Sequence, residues 1–382
     1  MVQHVFRRDQ LDDLALYVNR CDPKKVFLVR GKSSFETSGA RVFIENLLGT
    51  AEVTSFSSFS VNPKIEDLRK GIELFKKGDF SLIIAIGGGS VLDMAKLISV
   101  LSHQQAELID LITGNAQITD IKTPLLAIPT TAGTGSEATH FSVVYINTMK
   151  YSVSSPLILP NSVYLSSHFL KGESQYLAAC TGLDAFCQAV ESVWSVNATI
   201  ESEGYALKAI ELIWNNLQSV VLHRKTLAME QMIEASYLAG KAINITKTTA
   251  PHAISYAFTS FYNIPHGHAV ALSLPFFLEF NYALDNDNCT DPRGASDVKA
   301  RIEKILNLIN TDIKSAYAVL ENFFNMLGIS IGLLELTEDF DPNKIAENIN
   351  FERLRNNPRK VTKHDVLLFL SQSIAFRKKS SN

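Results

Sequence analysis

The stretch SLIIAIGGGSVLDMAK at residues 81–96 constrains this chain more than any other. A short, β-branched apolar run leads directly into three glycines and then into a helical pattern. An uninterrupted run of that kind is a strand buried on both faces, as in a parallel sheet. Glycines let the backbone turn sharply and approach a ligand closely, and the helix beyond them directs its first N–H groups and its positive dipole end to the same place. The pattern recurs. VFLVR (26–30) precedes the helically spaced GKSSFETSGARVFIENLLG, Pro63 opens a helix over PKIEDLRKGIELFKKG that Gly78 closes, and PLLAIPTT (124–131) is another strand ending in a turn. Strands and helices alternating in this way predict a parallel sheet with right-handed crossovers, and such sheets bind ligands at the carboxyl ends of their strands.

Beyond about residue 165 the texture changes. Strand-like runs nearly vanish, and helical patterns follow one another over 173–195, 200–222, 226–244, 251–260, 268–283, 296–307 and 313–327. The expected organisation is α/β plus all-α, with an N-terminal domain over 1–165 and a helical domain over 166–382, closely packed around a cleft. A net charge of -3 gives no basic excess to neutralise a nucleic acid backbone. The opening MVQHVFRRDQ lacks the apolar core of a secretory signal, and no run of about 18 apolar residues is present to span a bilayer. The expectation is a cytoplasmic protein with neither nucleic acid nor membrane as partner. Cys21, Cys180, Cys187 and Cys289 form no CxxC pair and read as reduced thiols.

Three segments carry the chemistry. Gly87, Gly88, Gly89 and Ser90 form a strand-to-helix turn suited to a pyrophosphate, although the motif is not the GxGxxG of the usual dinucleotide fold. IPTTAGTGSEAT (128–139) sets Thr130, Thr131, Thr134 and Ser136 beside flexible backbone, which suits phosphate and ribose oxygens. In the helical half, three of the nine histidines fall between positions 252 and 268. Asp184 and Gln188 lie four apart and share one helical face. With His252 and His266 they would supply four nitrogen and oxygen donors, a set suited to Fe(II) or Zn(II).

GGGSVLDMAK, IPTTAGTGSEAT, GLDAFCQAVES and the two histidine segments ending at Pro265, His266 and Gly267 together resemble the iron-containing (group III) alcohol dehydrogenases. The likeness runs over nearly the whole chain, including NNPRKVTKHD (356–365). It implies a parallel-sheet dinucleotide-binding domain followed by a helical metal-binding domain, the fold shared with dehydroquinate synthases. It also implies that Gly87, Gly88, Gly89, Ser90, Thr130, Thr131, Thr134 and Lys150 contact a nicotinamide cofactor, with Asp93 and Ser136 in the same turns. Asp184, His252 and His266 would bind metal, and the assembly would be a homodimer or larger. Two departures stand out. Gln188 occupies a place where the family usually has histidine, which predicts weaker metal retention, with a metal-free enzyme like the maleylacetate reductases as the extreme. Tyr256 replaces a further histidine near the nicotinamide; it and His268 are the candidate proton relays, although a phenol with a pKa near 10 is a poor base at neutral pH. Where relatives that prefer NADH place an acid, this chain has Gly31, followed by Lys32, Ser33 and Ser34. A cation and hydroxyls without the acid favour NADPH, with NADH also accepted.

Within the family, Gln188, WSVNAT (194–199), INITKTTAPHAISY (243–256) and IPHGHAV (264–270) are similar to the phosphonoacetaldehyde reductases, which make 2-hydroxyethylphosphonate. A phosphonate needs charge-assisted donors, and Lys247, Thr248 and Thr249 stand just before His252, with His268 as a further donor. The function expected is NAD(P)H-linked reduction of a small aldehyde to a primary alcohol. Alternatives are a generic short-chain alcohol or diol dehydrogenase, and a sugar-phosphate cyclase on the same scaffold, which would show no net NAD(P)H consumption.

Overall fold

The computed structural model describes residues 2–21, 23–119, 122–147, 149–337 and 340–375. It divides into two compact units, Met1–Glu173 and Ser174–Asn382. The division follows the 3-10 turn Ser167–Gly172, a few residues past the expected 165.

In the first unit, β1 (His4–Arg7) and α1 (Leu11–Arg20) lead to β2 (Lys25–Arg30), α2 (Ser34–Thr37), α3 (Ala40–Leu48) and β3 (Glu52–Phe56). Then come α4 (Ile65–Phe75), β4 (Leu82–Gly87), α5 (Gly89–Leu101), α6 (Leu108–Thr113) and β5 (Leu125–Pro129). A two-stranded antiparallel ribbon, β6 (Phe141–Ile146) and β7 (Met149–Ser154), precedes β8 (Ser162–Leu165). The main sheet runs β1-β8-β5-β4-β2-β3 with every pairing parallel. β4 and β5 lie in its interior and every residue of both is buried, which is why LIIAIG and LLAIP have no polar alternation. On one face Leu14, Val18, Ile44 and Leu48 pack against Val26, Leu28, Ile84 and Leu126. On the other, Phe27 meets Phe56, Phe75 and Phe80.

The helix expected across 31–49 is two helices, broken at Gly39, whose φ of +76° cannot continue a helix. The strands and the ribbon without an apolar run in the sequence, HVFR, EVTSF and FSVVYI with MKYSVS, lie at the sheet's edges or outside it.

The second unit holds α7 (Gln175–Trp194), α8 (Ile200–His223), α9 (Thr226–Thr246), α10 (Ala250–Tyr262), α11 (His266–Ala271), α12 (Leu274–Tyr282), α13 (Ala295–Leu308) and α14 (Ala316–Met326). Short α15 (Leu333–Leu336) and α16 (Pro342–Glu347), a 3-10 turn at Phe351–Asn356 and α17 (Lys363–Ala375) complete it. The helix expected over 268–283 is broken before Leu274–Pro275, because proline has no N–H to give and its ring clashes with the preceding turn. α7 is buried without interruption from Gly182 to Trp194, so it is the unit's central helix, packed by α8, α9 and α11. Its buried face includes Asp184, Gln188 and Glu191. All four cysteines are free thiols. Among the described residues no helix is long and apolar enough to cross a membrane.

Candidate active site

In the first unit the two hydroxyl- and glycine-rich turns come together at the carboxyl ends of β4 and β5. Gly87 pairs with Pro129, and the Thr130 N–H donates to the Gly87 carbonyl at 3.0 Å. Gly88 caps α5, and a Cβ on Gly89 would press within 2.8 Å of Thr134. Only glycine lets the Thr131–Thr134 loop lie against the start of this helix. Ser90 is also at this end, its Oγ accepting from the Asn62 N–H at 3.2 Å.

Asp93 and Ser136, expected among the cofactor contacts, are bonded to each other and to the backbone beside them. Ser136 Oγ donates to Asp93 Oδ1 at 2.6 Å, and Asp93 Oδ2 accepts from the Val143 N–H at 3.1 Å. Both are engaged within the protein. The clasp is closed by Lys96, a residue not singled out from the sequence. Its fully buried ammonium lies within 3.2 Å of Ser136 O, Ser136 Oγ, Thr139 Oγ1 and Phe141 O. Lys150 sits on β7 opposite Tyr145, in the ribbon rather than at the end of the parallel sheet.

At the end of β2, Gly31 donates its N–H to the Ile86 carbonyl, and Lys32 and Ser33 are exposed before α2. Arg30 is the cation the sequence reading missed. Its Nε donates to Ser55 Oγ at 2.8 Å, and its guanidinium lies 4.7 Å from the Phe35 ring centre. A cavity of about 260 Å³ beside it is lined by Leu28, Phe35, Arg41 and Ile44, among others.

In the second unit Asp184, His252 and His266 converge, one ligand atom from each lying within 4.8 Å of the others. Asp184 Oδ1 is 3.2 Å from His252 Nε2 and 3.9 Å from His266 Nε2. The sequence motif explains this closeness. His266 opens α11, and a Cβ on the next residue, Gly267, would strike the Cys180 carbonyl of α7. The missing side chain lets α11 lie directly on α7, which carries His266 to Asp184. Two imidazoles and a carboxylate with open positions form a donor set that fits a divalent transition metal. Gln188 is the fourth expected member; its Nε2 stands 3.3 Å from Asp184 Oδ1, so the amide borders the cluster.

Glu191, inside the GLDAFCQAVES motif but not singled out there, holds the set in place. Its Oε1 is hydrogen-bonded to His252 Nδ1, while Oε2 accepts from the Thr249 N–H at 2.6 Å and the Thr249 hydroxyl at 2.8 Å. Trp194 Nε1 in turn donates to Thr249 Oγ1 at 2.9 Å. A carboxylate on Nδ1 places the proton there and turns Nε2 toward Asp184. Glu191 follows Asp184 by seven residues, two helical turns, and that spacing on one face was the signal that could have found it. On the other side, the Ser255 hydroxyl donates to the His252 carbonyl at 2.7 Å and stands 3.5 Å from His266 Nδ1.

Burial by itself would lower the His252 pKa, but the Glu191 charge and the bonds to Asp184 and Glu191 outweigh it and lift the value to about 10. Burial raises Asp184, yet the His266 and His252 charges and the hydrogen bonds from His252 and Gln188 hold its carboxyl below the ordinary range. The metal-free cluster therefore keeps a proton that a metal must displace.

The remaining expected residues separate. Tyr256 stacks on His266, with ring centres 5.7 Å apart and planes 2° from parallel, so its ring borders this site. His268 is buried, Nδ1 is 3.0 Å from the Tyr176 hydroxyl, and Nε2 is 2.6 Å from the Ser330 carbonyl. Both ring nitrogens are engaged within the protein. Lys247 ends α9, just ahead of α10, with Thr248 beside it.

A parallel sheet with a phosphate-suited turn, and a helical unit with a carboxylate and two imidazoles, define a metal- and nicotinamide-dependent oxidoreductase. The family model for iron-containing alcohol dehydrogenase matches residues 2–167, and the model for the C-terminal part of that family matches 178–374. The chain belongs to the iron-containing alcohol dehydrogenase family, whose members are oxidoreductases using NAD(P)H and a divalent metal. It is 29% identical to a phosphonoacetaldehyde reductase of Streptomyces viridochromogenes over 292 residues, 74% of this chain and 73% of the relative. It is 30% identical to a 1,3-propanediol dehydrogenase of Klebsiella pneumoniae over 330 residues, 84% of this chain and 83% of the relative. In fold it matches sulfoacetaldehyde reductase from Bifidobacterium kashiwanohense with a TM-score of 0.87 at 24% identity, covering 98% of this chain and 97% of that one. A 1,3-propanediol oxidoreductase matches at 0.84 with 26% identity and 97% of each chain.

Two measurements check the metal cluster. Replacing Gln188 by histidine adds a third imidazole and is expected to slow loss of metal to EDTA. Glu191→Ala, which frees the His252 ring to turn, is expected to weaken metal affinity about 10–100-fold; metal content after dialysis reads both. Metal affinity should also rise with pH. His252 must lose the proton it holds up to about pH 10, so over pH 6.5–8.5 binding tightens roughly tenfold per pH unit for each proton displaced. Competition against a chromophoric chelator measures this slope, and a flat profile would mean that His252 is not a ligand.

Proposed function

We propose that the enzyme reduces a short aldehyde bearing a terminal tetrahedral anion, in the first instance phosphonoacetaldehyde to 2-hydroxyethylphosphonate, with NADPH preferred. Lys247 is the observation that carries this reading. Its backbone sits at φ 59°, ψ -178°, a region that is nearly the preserve of glycine. Holding a side-chain-bearing residue there costs about 1–3 kcal/mol. The lysine is also half-buried, and desolvation pulls its pKa below the usual lysine range. Strain and desolvation together are poor choices for a helix end, where glycine would serve better. They suit a lysine whose side chain has a use at the site, and an anion is the ligand a lysine favours. Lys247 stands five residues before His252, and the Streptomyces relative that reduces phosphonoacetaldehyde points to the same substrate.

In the reaction, NADPH gives a hydride to the carbonyl carbon and a proton reaches the carbonyl oxygen, leaving NADP⁺ and a primary alcohol. Asp184, His252 and His266 would hold the metal, which when bound supplies Lewis acidity to polarise the carbonyl. Glu191 fixes the His252 ring, and Tyr256, whose ring stacks against His266, would pass the proton through its hydroxyl. Gly31 offers no carboxylate against a 2′-phosphate, and Arg30 beside it supplies a cation, which together support NADPH. The likeness to 1,3-propanediol dehydrogenase over most of the chain favours an uncharged short alcohol as the second reading.

Oxidation of NADPH by the Fe(II)-loaded enzyme, with phosphonoacetaldehyde and propionaldehyde compared, separates the two. The expected preference in kcat/KM is about a hundredfold, roughly 2.7 kcal/mol, and equal or reversed activity would return the substrate to the uncharged class. Lys247→Gly should relieve the backbone and raise Tm by roughly 2–4 °C, while lowering kcat/KM for phosphonoacetaldehyde more than for propionaldehyde. A drop in Tm with equal losses on both aldehydes would make Lys247 a purely structural residue.

A further inference from the structure

We infer that Thr249 is a positioning residue for the metal site: seated between Trp194 and Glu191, it fixes the carboxylate that holds His252, and so governs how long the divalent metal is retained. This rests on Asp184, His252 and His266 being the metal's ligands, and it is independent of the substrate. Thr249 lies just before α10, three residues ahead of His252, and is buried, as are Glu191, Trp194 and His252. The bonds among these side chains run one way. An indole N–H can only donate, so Trp194 Nε1 donates to Thr249 Oγ1 at 2.9 Å. An ionised carboxylate can only accept, so the single hydroxyl proton goes to Glu191 Oε2 at 2.8 Å. The Thr249 N–H donates to the same oxygen at 2.6 Å. With both of these donors on Oε2, the other carboxylate oxygen is left for His252 Nδ1.

This is not the ordinary use of a threonine in that place. Thr249 is the N-cap of α10, and His252 is the third residue of the helix. An N-cap hydroxyl normally accepts from the N–H of the second or third helical residue. Among the described residues Thr249 makes no such bond. Pro251, the second residue, has no N–H, so one of the donors that a cap would serve is already absent. Thr249 and His252 are joined through Glu191 instead, side chain to side chain. Glu191 and Trp194 stand three apart on α7, about one helical turn, so a single helix grips Thr249 from two sides. Valine would fill the same space, and a buried hydroxyl is unfavourable unless it is bonded. The hydroxyl is therefore there for the groups it joins, and the chain it closes ends on a metal-binding imidazole.

The test uses the full-length enzyme loaded with Zn(II) and follows transfer of the metal to an excess of a chromophoric chelator. Thr249→Val keeps the backbone N–H and removes the hydroxyl; it is expected to speed metal loss about tenfold or more, whereas Thr249→Ser, which keeps the hydroxyl, should stay within about threefold of wild type. T249V also leaves the Trp194 N–H buried without its acceptor, which destabilises the fold by itself. Trp194→Phe removes that donor while the bond from Thr249 to Glu191 remains, so W194F should hold Zn(II) nearly as long as wild type. In the W194F background T249V strands no donor, and it should still speed metal loss about tenfold. If T249V has no effect in that background, the loss came from the stranded indole and the inference is overturned. If T249S releases Zn(II) as fast as T249V, the hydroxyl is not what matters and the inference is again overturned. His252→Ala is measured alongside. Fast release from H252A with wild-type retention by T249V overturns the role of Thr249 alone, and wild-type retention by H252A brings down the ligand set as well.

Discussion

Two carboxylates buried on one face of one helix, Asp184 and Glu191, set the terms for the helical unit. A buried carboxylate is tolerated only when cations or hydrogen bonds compensate it. Asp184 takes its compensation from His252 and His266, and Glu191 from His252, Thr249 and, through Thr249, Trp194. These partners come from α10, α11 and the residues just ahead of α10, so the electrostatic demand of α7 fixes where those segments lie. His252 is shared by both carboxylates, one on each ring nitrogen. Removing either acid would leave the imidazole half-held, and this coupling makes a cluster of weak individual contacts a rigid donor set.

The sheet unit solves a related problem with a single cation. The loop from Thr130 to Thr139 must stay open to a ligand and still keep its shape, although it is rich in glycine and hydroxyls. Lys96, on the inner side of α5, reaches the carbonyls and hydroxyls at the loop's far end, and Asp93 on the same helix takes the Ser136 hydroxyl. Burying an ammonium is unfavourable unless all its donors are used, and here four oxygens surround it. The same helix thus offers its first turn to the ligand and uses its third turn to brace the loop that faces it.

Lys247 and Gly267 show opposite uses of backbone at the helical site. Gly267 is small because α11 must touch the backbone of α7, and any side chain there would push His266 away from Asp184. Lys247 has a side chain where the backbone calls for none. The first choice follows from packing alone. The second is one of six non-glycine residues at positive φ among the described residues, and the proposed anionic substrate would give its side chain a use that outweighs the strain.

The sequence by itself determined the fold class, the two glycine and hydroxyl turns, and the Asp184, His252 and His266 set, because each is written in local pattern. Continuous apolar runs mark interior parallel strands, and ligand types at helical spacing mark a common face. It did not determine the edge strands, whose half-polar residues carry no run, or the breaks at Gly39 and ahead of Pro275, which punctuate otherwise helical spacing. Nor did it decide which polar residues face a ligand and which face each other. The contacts of Asp93, Ser136 and His268 with the rest of the protein are tertiary and have no local pattern. Lys96 and Glu191 lie inside the quoted motifs, yet their roles depend on partners 40 or more residues away along the chain. Only the folded chain brings such groups within hydrogen-bonding or stacking distance, and there burial decides which charge needs which partner.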